Sequence, residues 1–76
     1  MEEEKERPVF IVFTVPAGLV DRVIKVEVHD EIGLREELKR TVKPSEKINL
    51  DFKVLGDARM EIFLDEELVE ERELKK

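Results

Sequence analysis

A chain of 76 residues with 20 acidic and 14 basic side chains, a net charge of −6 and no cysteine describes one small acidic domain. The missing cysteines exclude disulfides and thiolate metal sites, and an acidic chain without a basic stripe is a poor partner for a nucleic-acid backbone. So short a chain buries only roughly 60% of its unfolded surface, leaving little room for a deep catalytic pocket of about 300 Å³.

Charged residues make up 45% of the chain, with no Gln and Asn49 as the single Asn. Abundant Glu and Lys with few thermolabile amides suggests a thermophilic source, where surface ion pairs are most useful. No apolar run approaches the roughly 18 residues of a membrane span, and the N-terminus carries no signal-peptide core.

Residues 1–7 hold four Glu against Lys5 and Arg7, lack apolar periodicity, and are expected to be a disordered leader or linker end. The domain proper is expected over 8–76. Pro8 opens a β-branched and aromatic run, Val9 to Val15, closed by Pro16-Ala17-Gly18. Thr14 shares a face with Phe10 and Val12, so Val9, Ile11, Phe13 and Val15 are the inward face. Ile24, Val26 and Val28 alternate with Lys25, Glu27 and His29, which makes a half-wet strand. Asp30 to Gly33 is the next turn, with Gly33 supplying a positive φ.

Residues 34–42 carry two patterns. Leu34 and Leu38 lie four apart in a segment of high helix propensity, but the run is under three turns. Leu34, Leu38 and Val42 also share one strand face with Glu36 and Arg40 between them, as suits an edge strand guarded by charge. An edge strand is the expectation. After the Pro44 to Lys47 turn, Ile48, Leu50, Phe52 and Val54 alternate with polar residues. Gly56-Asp57 turns the chain into Met60, Ile62 and Leu64, and Asp65-Glu66-Glu67 turns it into a Glu-rich strand at 68–74. The rhythm predicts an all-β fold: a small antiparallel immunoglobulin-like β-sandwich of about six strands.

The inventory for catalysis is thin. Ser45 is the only Ser and sits in a turn, while His29, the only His, lies on a polar strand face. A lone His without Cys is a weak metal ligand set, and Gly18, Gly33 and Gly56 are too scattered for a phosphate loop. Carboxylates are plentiful but fall on wet faces, turns and tails, not around a cleft. Asp30 with Glu31, or Asp65 with Glu66 and Glu67, lack EF-hand spacing for Ca²⁺. No catalytic residue, metal or cofactor is therefore expected. The one local basic cluster, Lys39, Arg40, Lys43 and Lys47, is a weak candidate patch for an anionic ligand and fits a solvated turn and strand edge better. Val23, Leu55 and Phe63 fall on outward faces, where single apolar residues are ordinary.

Several segments carry a resemblance in their order and spacing: Thr14-Val15-Pro16-Ala17-Gly18, the strand Val23 to Asp30 with its turn to Gly33, and the Lys43-Pro44 turn. The hairpin Gly56 to Asp65 and Leu68-Val69-Glu70-Glu71 complete it. From Val12 to Leu74 the chain resembles the immunoglobulin-like domain at the extreme C-terminus of bacterial serine/threonine kinases of the PASTA-repeat type. It departs where that family often places Gly after the Asp of the last turn, since Glu66 stands there. The resemblance implies a single-pass membrane parent with a cytoplasmic kinase domain and extracellular repeats associated with muropeptides. This domain would then be a non-enzymatic accessory unit on the cell-wall face, with cell-wall polymer, a protein or a second copy as partner classes. No kinase motif is present to carry over. The alternative is a standalone or designed β-sandwich module with no kinase parent.

Overall fold

The computed structural model describes residues 5–75, and every regular element in them is a strand. β1 (Arg7–Thr14), β2 (Arg22–His29), β3 (Leu34–Val42), β4 (Lys47–Val54), β5 (Ala58–Leu64) and β6 (Glu67–Leu74) follow one another through short turns. Among the described residues no helix is long and apolar enough to cross a membrane.

Side-chain alternation sets the elements. β4 alternates buried and exposed at every residue, and β2 and β5 bury Ile24, Val26, Val28, Met60, Ile62 and Leu64 on one face. The β3 segment is indeed a strand. Its apolar residues recur too sparsely for a helix to cover, and as a strand it hydrogen-bonds to β2 along its whole length. The charged side chains expected between its apolar residues stand on its inner face, with Arg40 opposite Ile24 and Glu36 opposite Val28.

β1 and β4 form a two-stranded sheet, and β3-β2-β5-β6 form a four-stranded one, all pairs antiparallel. The fold is a small immunoglobulin-like sandwich. In that fold's lettering, β1 to β6 take the places of strands B, C, C′, E, F and G. Places A and D, which flank B and E in the full sandwich, are unfilled among the described residues. The buried layer between the sheets is wholly apolar: Ile11, Val15, Ile48, Leu50, Phe52 and Val54 from one sheet meet the β2 and β5 faces of the other. Val9, Phe13 and Leu74 pack against its margin. The inward face expected for the first strand is the one found.

The first strand begins one residue earlier than expected. Residues 1–4 lie outside the described residues, but Arg7 is already the first residue of β1, opposite Val54. Its guanidinium donates to the carbonyls of Leu74 (2.6 Å) and Gly56 (3.1 Å), which ties β1 to the end of β6 and to the β4–β5 turn. Those distant acceptors hold the residue in the fold, and local composition gives no sign of them. Gly56 is fixed by conformation. Its φ of +69° is what favours glycine there; a Cβ would meet only the end of the Glu31 side chain, which can swing aside.

Candidate functional site

Burial between the sheets falls on β2 and β5, while β3 and β6 on either side of them are largely exposed. The free side of β4 runs beside the overhang of β3, where Leu38, Leu50 and Phe52 line a groove of about 160 Å³. At the other margin the end of β1 is held to the end of β6 by Arg7, and the long side of β1 pairs with no described strand.

The register shows which backbone groups that free side presents. Val15 N–H donates to the Glu46 carbonyl, so odd-numbered residues of β1 direct their N–H and C=O groups toward β4. Phe10, Val12 and Thr14 therefore direct theirs away from β4, to the open edge. Pro8 falls in the same set, the one place where a strand tolerates a residue without an N–H. The side chains of this set also face out, with Phe10 72% and Val12 60% exposed.

Charge separates this edge from the others. β3 and β6 carry five charged residues each and β4 carries three, whereas β1 has only Arg7 at its first position. Residues 8–20 contain no charged residue at all, in a chain that is 45% charged. Leu19 and Val20, in the connection that follows, are fully or largely exposed. Charged edge residues discourage strand addition, and their absence invites it. The uncharged run was visible in the sequence, but the side-by-side comparison of edges needs the strand order. That order makes β1, β3, β4 and β6 the edges, and β2 and β5 the interior strands.

The residues singled out from the sequence are dispersed. Lys39 lies on the outer face of the four-stranded sheet beside Lys25, while the adjacent Arg40 points to the inner side and bonds Glu46 at 3.3 Å. Lys43 is in the following turn, where its N–H donates to Glu46 (2.9 Å), and Lys47 opens β4 opposite Thr14. The fold thus splits the four among three strand faces, on two different sheets, and a turn. The Glu46 carboxyl is held below its usual range, chiefly by the Lys43 N–H and also by Arg40. Val23 and Phe63 are on the outer face as expected. The Lys25 ammonium lies over the Phe63 ring at 5.7 Å from its centre.

His29 has company that spacing alone did not reveal. Strand register brings Glu27 opposite Glu61, and the Nε2 of His29 lies 3.3 Å from Glu27 and 3.8 Å from Glu61. These three offer ligand atoms within 4.8 Å of one another and are the described residues that could hold a metal ion. A cation already competes for the position, since Lys25 Nζ is 2.8 Å from Glu27. Bonding to Lys25, and then to His29, lowers the Glu27 carboxyl, while the same contact raises the Lys25 ammonium. The arrangement is a cross-strand ion network on a half-wet face.

The acids considered for Ca²⁺ have structural partners. Asp30 accepts from the backbone N–H groups of Leu55 (2.8 Å) and Ile32 (2.9 Å). Asp65 accepts from Val23 N–H (3.0 Å) and pairs with Arg22 (2.8 Å). An open depression of about 410 Å³ lies between the β2–β3 and β4–β5 turns. Its walls mix His29, Asp30, Glu31, Arg59 and Glu73 without converging on one point. Comparison with known protein families, with curated proteins and with solved structures gives no match to this chain.

Proposed function

We propose that this domain is a non-catalytic interaction module. In this reading it is the accessory domain at the C-terminus of a membrane-spanning PASTA-type serine/threonine kinase, lying outside the cell near wall polymer. The resemblance from Val12 to Leu74 supports that parent, and the charge-rich composition supports a thermophilic one. The observation that carries the interaction role is the open edge of β1, where Phe10, Val12 and Thr14 present unpaired backbone groups in an uncharged strand. Such an edge binds extended backbone by adding a strand, with main-chain hydrogen bonds supplying affinity. The stem peptide of a muropeptide also carries amide N–H and C=O groups that such an edge would meet, though not in the regular spacing of an L-peptide strand.

The test is titration of isotopically labelled chain with a purified muropeptide fragment, following amide shifts. The reading expects shifts at Phe10, Val12 and Thr14 and none at Lys39, Arg40, Lys43 or Lys47. Shifts confined to the basic residues would move the site there, and none at all would remove wall polymer as the ligand. For the parent, the reading frame is expected to continue upstream into a membrane span and a kinase domain. A frame of 76 residues alone would refute that parent.

A further inference from the structure

We propose that a second copy of this chain closes the β1 edge, two β1 strands pairing antiparallel across a twofold axis at Val12. This rests on β1 being the contact edge, as proposed above; a second copy and a wall fragment would compete for it, so the ligand would bind the monomer. The result is one continuous sheet in the order β4-β1-β1-β4, with the partner strand in the place strand A takes in a full immunoglobulin sandwich.

Three observations select a copy of the same strand. First, any strand can pair with its own copy in an antiparallel register, and an axis on Val12, the middle one of the open-edge residues, keeps the paired span, residues 8–16, within the uncharged run. With Val12 opposite Val12 of the partner subunit, Phe10 falls opposite Thr14, and the open-edge groups of Phe10, Val12 and Thr14 meet their own equivalents. Second, no charge is placed against a charge. From Pro8, which falls opposite Pro16, to Val12 at the axis, every paired residue is uncharged. On the inner face Val9 comes beside Val15 and Ile11 beside Phe13, which extends the apolar layer that Val9 and Phe13 now only half complete. Third, the dimer stops growing. Once β1 is covered, the remaining edges β3, β4 and β6 carry five, three and five charged residues. An exposed strand this apolar is otherwise an aggregation hazard, and a closed twofold contact removes it.

Sedimentation velocity of the full 76-residue chain over a concentration series reads the association directly. The expected result is a monomer–dimer equilibrium. Val12→Lys sets two ammonium groups opposite each other at the axis and should weaken the dimer at least tenfold without changing the circular dichroism spectrum. Thr41→Lys, an exposed change on β3, should leave association as it is. The chain has no cysteine, so Val12→Cys gives a clean second measurement. Directly paired residues of this kind have Cα atoms about 5.5 Å apart, within disulfide range. Val12→Cys should oxidise to a covalent dimer much faster than Thr41→Cys, and this comparison decides the matter should Val12→Lys fail to fold. A chain monomeric at every concentration, a dimer indifferent to Val12→Lys, or equal oxidation of the two cysteine variants overturns the proposal. A monomer whose β1 amides still shift with muropeptide would sink the self-pairing alone and leave the edge as a ligand site.

Discussion

Asp30 ties two turns together. Its side chain is fully enclosed, and its two carboxylate oxygens take separate N–H groups, one from Ile32 in its own turn and one from Leu55 in the β4–β5 turn. Burial alone would push its carboxyl up, but hydrogen bonds from Leu55, Ile32 and Gly33 outweigh burial and leave it lowered. A folded-state value below the unfolded one adds stability above the unfolded pKa, and that stability is lost as pH falls through the folded value. Asp65 and Glu46 are lowered too, so they act in the same direction. Urea midpoints should therefore drop below about pH 4, the ordinary carboxylate range. Asp30→Asn leaves one enclosed N–H without an acceptor and should cost roughly 1–3 kcal/mol at pH 7. It should also flatten the acid limb of the urea curve. An unchanged midpoint and acid limb would show that the carboxylate does not bridge the turns.

Glu66 carries a residue-scale cost in the fold. Asp65 and Glu66 form the two-residue β5–β6 loop with φ of +49° and +70°, the primed turn that favours Asn-Gly or Asp-Gly. Asp65 offsets its conformation by bonding Val23 and Arg22, whereas a non-glycine residue at Glu66 bears the left-handed penalty. Glu66→Gly should raise stability by about 0.5–1 kcal/mol, measured by thermal or urea unfolding. A loss of stability would mean that the Glu66 side chain makes a contact worth more than its strain.

Among the elements, legibility followed side-chain alternation. Ile24-Val26-Val28, Ile48 to Val54 and Met60-Ile62-Leu64 announced their buried faces because period 2 is a local property. β3 was legible as an edge for the same reason, its charges standing on the side of its apolar residues. Register was not legible, because it is set between strands. It places Glu37, Glu27, Glu61 and Glu71 opposite one another across all four strands, and it surrounds His29 with two of them. Arg7 escaped the sequence because its acceptors are 49 and 67 residues away. The candidate patch at Lys39 to Lys47 was a cluster in sequence that the pleat divided between faces. The open edge of β1 was half legible. Its uncharged run is plain in the sequence, but only the pairing shows which of its backbone groups are left over.

At the scale of the whole molecule, a four-stranded sheet lies under a two-stranded one, with charge on every edge but one. The uncharged run from residue 8 to residue 20 takes in all of β1 after Arg7, and of the four strands with an unpaired side β1 alone is so free of charge. Amide hydrogen exchange on dilute protein tests whether that edge is open, without reference to any partner. Ile11 and Phe13, bonded to β4, should be protected, while Phe10, Val12 and Thr14 should exchange close to the rate of free peptide. The slow–fast alternation should fade as concentration rises and copies pair. Uniform protection from residue 9 to residue 14 in dilute solution would contradict the account, because the edge would then already be covered within one chain.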